Sequence, residues 1–120
     1  MEREELQIQI LKELISYSEN LIPAVQNLIT ELREDVREDT GDYLNEVITG
    51  INWEIEVYNQ CSDLISARSS YIDKKAMINA VKNLGESLSS GDYAMVAGCL
   101  EEDFIPFLNK LDLTAKMIVG

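Results

Sequence analysis

Carboxylates at helical spacing are the residues of this 120-residue chain whose types and positions come nearest to a catalytic set. Glu31 and Glu34 form an ExxE pair, and Glu2 and Glu5 form another. Three residues apart on a helix, two acids share one face and can hold a magnesium ion between them. A magnesium cage of this kind hydrolyses phosphoanhydrides once a second acidic pair closes it from a facing helix. That second pair is missing: no Glu stands three residues before an Asp, and the nearest approach is Glu56 to Asn59. Glu31 and Glu34 also lie within ELREDVRED, where Arg33 and Arg37 alternate with acids as on a solvated helix face.

The chain contains no histidine. Di-iron sites built on Glu-x-x-His, histidine phosphotransfer, and Ser-His or Cys-His nucleophile pairs are therefore excluded. Cys61 and Cys99 have no CxxC spacing and read as reduced, half-buried core residues rather than zinc ligands or functional thiols. No metal or cofactor is expected. A second acidic cluster, Glu101, Glu102 and Asp103 in LEEDFIPFL, occupies three consecutive helical positions spread over roughly 200 degrees, so the three cannot face one ligand. They and the lone Trp53 are the candidate interaction residues. Trp53 falls between Ile51 and Ile55, off the main apolar face, and marks a contact surface if exposed or widens the core if it packs under Tyr17.

The elements that must position these residues are helices. Ile8, Ile15, Ile22, Ile29 and Val36 recur every seven residues, with Leu11, Leu14, Leu21, Val25, Leu28 and Leu32 between them, which predicts an amphipathic helix over about 3–37. Pro23 kinks this helix, and the unbroken heptad phase favours one bent helix over two. A second helix starts near Asp42 on the stripe Leu44, Ile48, Ile51, Ile55, Tyr58 and Ile65 and fades at ISARSSYID. Gly50 in its middle predicts a close helix crossing. A third runs from Lys74 to Ser89 with Met77, Ala80, Val81, Leu84 and Leu88 inward. The fourth is capped by Asp92, buries Val96 through Leu111, and is bent by Pro106; the tail LTAKMIVG is left unassigned.

GDY occurs twice, at Gly41–Tyr43 and Gly91–Tyr93, each after a helix containing a related string, IPAVQNL or INAVKNL. The repetition reads as two similar helical hairpins, about 3–68 and 73–118. In each, Gly takes the left-handed conformation that closes one helix, Asp caps the next, and Tyr covers the turn. The expected fold is a single all-α domain, an antiparallel four-helix up-down-up-down bundle with the longer hairpin first. At 1.5 Å per residue the first helix would span about 50 Å and the third about 24 Å. The overhanging apolar stripe then needs cover, from a fold-back at Pro23, a second copy or another protein. A homodimer is the expected answer.

The sequence carries three resemblances. The stretch Gly98, Cys99, Leu100, Glu101, Glu102, Asp103 before Pro106 resembles a pattern in a family of small uncharacterised helical-bundle proteins of Firmicutes, in which Asp-Leu-Leu-Glu-Tyr-Glu precedes a proline. Leu100 and Glu101 match, Asp103 replaces Glu, and Gly98, Cys99 and Glu102 depart. The resemblance implies a helical fold and a bacterial source, with no activity attached. The ExxE pair resembles half of the metal site in the helical nucleotide pyrophosphohydrolases of the MazG type. In size and acidity the chain is also similar to export chaperones of the flagellar kind.

Net charge is −12, with 14 acids against 4 bases in residues 1–60 and 8 against 6 in residues 61–120. Such a field repels nucleic acid; it reads first as a surface charge that keeps the protein soluble, and a partner recognised by charge would be basic and meet the first half. No apolar run reaches the roughly 18 residues of a membrane span, and MEREELQ lacks the order of a signal peptide, so a cytoplasmic protein is expected. The function expected is a non-enzymatic acidic protein–protein interaction module, adaptor or chaperone-like, that takes a basic or amphipathic helical segment of a protein partner. The alternative is a magnesium-dependent nucleotide pyrophosphohydrolase-like enzyme with a degenerate site at Glu31 and Glu34.

Overall fold

A computed structural model describes residues 2–68 and 72–120. Among these residues the fold is all-α: α1 (Glu2–Glu34), α2 (Thr40–Gln60), α3 (Ser62–Arg68), α4 (Lys74–Ser90), α5 (Tyr93–Cys99), a π turn (Leu100–Phe104) and α6 (Ile105–Val119). The principal extents are 47 × 25 × 18 Å. No helix among the described residues is long and apolar enough to cross a membrane.

α1 runs unbroken through Pro23. Its buried face is Gln7, Leu11, Leu14, Ser18, Leu21, Val25, Leu28, Ile29 and Leu32. The isoleucines expected to lead the stripe flank this seam instead: Ile8, Ile15 and Ile22 are only partly buried, and Val36 lies past the helix end, exposed. The helix stops at Glu34, not at 37, because the chain there is held by side chains. Thr40 Oγ1 accepts from the Arg37 amide at 2.7 Å and donates to Glu31 Oε2 at 2.7 Å.

α2 returns antiparallel along α1. Thr40 meets Glu31, Ser18 meets Glu54, and Gln7 meets Gln60 and Asp63. Gly50 sits at the expected close crossing: a Cβ there would collide with the Tyr17 hydroxyl and stand 2.9 Å from Leu21 Cδ1. Cys61 interrupts this rod, which resumes as α3 rather than fading from Ile65. The tail end of that sequence prediction, at residues 69–71, lies outside the described residues.

The two GDY tripeptides differ. Gly91 (φ 72°) closes α4 in the left-handed region, and Asp92 then caps α5 by accepting from the amides of Ala94 and Met95, as expected. The first GDY instead lies inside α2, which starts at Thr40 rather than Asp42; Gly41 is helical, and Asp42 caps nothing. Tyr43 does not keep its hydroxyl in water but donates it to the Ala24 carbonyl at 2.8 Å, beside Pro23.

The expected fourth helix is likewise segmented. Pro106 has no amide to donate to the Glu102 carbonyl, and the backbone answers with a π turn in which the Ile105 amide reaches the Leu100 carbonyl. Pro106 thereby falls in the first turn of α6, where a missing N–H is harmless. The tail is helical to Val119. α5, the π turn and α6 together line α1 along its length, so the overhang expected for the first helix is covered within the chain. α4 leans on α5 and the π turn at the edge of the molecule.

Candidate interaction surface

α4 opens on Asp73, whose carboxylate accepts from the Lys75 amide at 2.9 Å, and ends on Gly91. Packed on one side only, it buries Met77, Ala80, Leu84 and Ser87. Val81 and Leu88, expected on that inner face, are instead 44% and 38% exposed, and Ile78 is 53% exposed. Ile78, Val81, Gly85 and Leu88 follow one another at steps of three, four and three, the spacing of a helix seam that meets another helix. Gly85 has open space where its Cβ would be, so a partner's backbone can come close there. Ile78 and Val81 also wall a groove of about 430 Å³ with Met77 and Lys74 of α4 and Ile55 and Asn59 of α2. In a chain of net charge −12, α4 carries Lys74, Lys75 and Lys82 against one acid, Glu86.

The residues singled out from sequence do not gather at this groove. Trp53 points from α2 towards α1, half-buried, with its ring edge-on to Tyr17 at 5.3 Å, and this pair borders a shallow apolar depression with Gly50 and Thr49. The three consecutive acids diverge. Glu101 pairs with Arg33 of α1 at 2.9 Å, Asp103 accepts from Cys99 Sγ and from Asn83 of α4, both at 3.5 Å, and Glu102 is exposed beside a cleft that Lys110 and Asp73 share. Glu31 is tied to Thr40, while Glu34 is exposed. No group of three or more Cys, Asp or Glu residues is close enough to hold a metal ion among the described residues. Both cysteines are buried and free. Burial, with Asp103 and then Glu102 adding negative charge, pushes the Cys99 thiol up to about 12, which keeps it protonated and unreactive.

What sequence reasoning missed is Glu54. It is 0% exposed, facing α1 between Ile51 and Val57, and its Oε2 accepts from Ser18 Oγ at 3.0 Å. Burial raises its carboxyl to about 7; the Ser18 hydrogen bond opposes the shift and the charge of Asp112 on α6 adds to it. A signal was present. Leu44, Val47, Ile51, Glu54 and Tyr58 step by three and four, so Glu54 fills a core position of α2 just as Ser18, between Leu14 and Leu21, fills one of α1.

The sequence model of a domain of unknown function, DUF8042, matches residues 9–113. The chain belongs to that family. No curated protein and no solved structure matches it. The DUF8042 match takes in the whole of α4, the α2–α4 groove, and both Glu54 and Asp112.

Proposed function

We propose that this chain is a protein–protein interaction module whose α4 face and α2–α4 groove receive an amphipathic helix of a partner protein. The observation that carries the reading is the outward stripe Ile78, Val81 and Leu88, a second apolar face on a helix that already has an inner one. Helix-in-groove docking uses anchors at this spacing. Lys74, Lys75 and Lys82 beside the stripe favour acidic residues on the flanks of that helix. The basic partner expected from the whole-chain charge suits the exposed acids Glu34, Glu38 and Asp39 at the far end of α1, not this groove. The expected homodimer is a competing occupant of the same face. Its original support, an uncovered α1, has gone, and two copies of charge −12 repel one another. Four rods in up-down-up-down order, with α2–α3 and α5–α6 each counted as one, and a place in the cytoplasm of a Firmicutes cell complete the reading; only the Firmicutes source rests on the match at Leu100 and Glu101.

The hydrolase alternative has less support: Glu31 is engaged by Thr40, and the acids needed opposite it are not assembled among the described residues.

The test is direct. Two labelled amphipathic peptides with identical apolar faces, one flanked by Glu and one by Lys, are titrated into the protein by fluorescence anisotropy at several salt concentrations. Light scattering is run in parallel. Binding of the Glu-flanked peptide that falls at least tenfold in Val81→Asp supports the proposal. A salt-resistant dimer abolished by Val81→Asp gives the face to a second copy instead. A monomer that binds neither peptide overturns it.

A further inference from the structure

Tyr17 and Trp53 meet edge-on across the α1–α2 crossing, their planes at 77°. Gly50 makes room for the contact: the Tyr17 hydroxyl lies in the space that a methyl on Gly50 would fill. Tyr17 nevertheless stays 39% exposed and Trp53 half-buried, so the pair covers the crossing without withdrawing from solvent. With Glu13, one turn before Tyr17, and with Thr49 and Gly50, the two rings line an open depression of about 480 Å³. Its surroundings are acidic. Asp42, Glu46, Thr49, Trp53 and Glu56 follow one another on α2 at steps of four, three, four and three, so exposed carboxylates stand before and after Trp53 on one helix face. α2 contains no lysine or arginine. On α1, Lys12 lines a separate depression that shares Glu13 and Tyr17. Glu13, Glu46 and Glu56 form no ion pair among the described residues.

We propose that this aromatic corner is a second docking site, for an arginine-bearing segment of a basic partner protein, with the guanidinium against the rings and Glu13 as its counter-charge. Aromatic faces attract a cation through their quadrupole, and tryptophan does so most strongly. Arginine suits the corner better than lysine, because its planar head stacks on a ring while pairing with a carboxylate. The acids along α2 then draw the rest of a basic segment onto the same face. An apolar side chain would gain contact with the rings but nothing from the unpaired acids. The corner and the α4 groove share no lining residue and differ in charge, since α4 carries Lys74, Lys75 and Lys82. Neither site depends on the other.

Trp53 is the only tryptophan in the chain, so its emission reports on the corner. A capped Arg-Gly repeat peptide without aromatic residues is titrated into the protein, and the same repeat with Gln for Arg is the control. Anisotropy of the labelled peptides is read in parallel. A saturable change in Trp53 emission is expected with the arginine peptide and not with the glutamine peptide, weakening as salt rises. Glu13→Gln and Tyr17→Leu should each weaken binding about fivefold, the scale of one exposed contact of this kind, while Val81→Asp leaves it unchanged. Arginine-peptide binding that leaves Trp53 emission flat, or that both corner variants leave intact, assigns the basic partner to the acids at the far end of α1 and overturns the proposal. So does an equal response to the glutamine peptide, or no binding of either. Glu13 is exposed, so Glu13→Gln decides the matter even where Tyr17→Leu disturbs the crossing.

Discussion

The α1–α2–α6 seam and the outer face of α4 break the same rule in opposite directions. In the seam a carboxyl sits where a leucine would serve; on α4, Ile78, Val81 and Leu88 sit where lysines and glutamates would serve. Their energetics differ. The buried polar positions are matched across the crossing, Ser18 with Glu54 and Gln7 with Asp63 and the Gln60 carbonyl, each at 3.0 Å. A slip of α1 along α2 would leave every one of these groups unpaired, so the polar rungs specify register more than they add stability. The outer stripe has no match among the described residues and contributes little to folding. An inversion with a partner inside the molecule thus belongs to the fold, and one without it points outward.

The sharpest way to break this comparison is Glu54→Gln. With the folded carboxyl near 7 and the ordinary value at 4.5, the folded state holds a proton that the unfolded state has released between those two pH values. Its stabilising effect is complete below pH 4.5, declines as pH rises, and is gone above pH 7. Glutamine keeps the acceptor for Ser18 and never ionises. Urea unfolding at pH 8 should therefore show the variant more stable than wild type by about 3 kcal/mol, the gap shrinking towards zero at pH 4.5. Equal stabilities at pH 8 would mean that Glu54 is wetter than its surroundings imply.

A smaller effect of opposite sign is expected at Gly50. An alanine methyl there must displace Tyr17 and Leu21, and the loss should be about 2 kcal/mol by urea unfolding, the usual scale for overpacking. Because Trp53 packs edge-on against Tyr17, its fluorescence should shift as well.

This crossing could be read from sequence, because a close crossing is the usual compensation for a mid-helix glycine, although Gly85, with open space at its Cβ, shows that the rule has exceptions. The all-α class, the continuity of α1 through Pro23 and the Gly91–Asp92 junction could be read for similar local reasons: heptad phase, capping chemistry, left-handed glycine. The first GDY misled because the same tripeptide follows Thr40, whose hydroxyl is bonded on both sides and starts α2 one residue ahead of Gly41. Val81 and Leu88 misled because hydropathy does not distinguish an apolar residue facing the core from one facing outward on a helix at the molecule's edge. Glu54 was passed over because a search for apolar residues skips an acid even when it falls on the stripe. The π turn gave no prior signal beyond Pro106, since a proline admits a kink as readily as an inserted residue.

Gly85 sets the seam against the outer face with a single type of substitution. Nothing lies within 4 Å of the Cβ that alanine would add there. Gly85→Ala should stabilise the protein by about 0.8 kcal/mol through helix propensity alone, where Gly50→Ala destabilises it. If both variants lose stability, α4 is packed more closely than the open stripe implies.

Val81→Asp should have the smallest effect on folding and the largest on docking. Valine and aspartate have similar helix propensities, the side chain is 44% exposed, and its loss opens no cavity in the core, so the change in unfolding free energy should stay within about 0.5 kcal/mol. For a partner helix the same substitution removes a central apolar anchor and sets a negative charge against acidic flanks, a loss of affinity with no loss of fold. A matched pair of measurements, urea unfolding and peptide anisotropy on one preparation, separates the two. If unfolding shifts by 2 kcal/mol or more, Val81 belongs to the core after all, and the outer face of α4 loses its claim to be a surface kept for another protein.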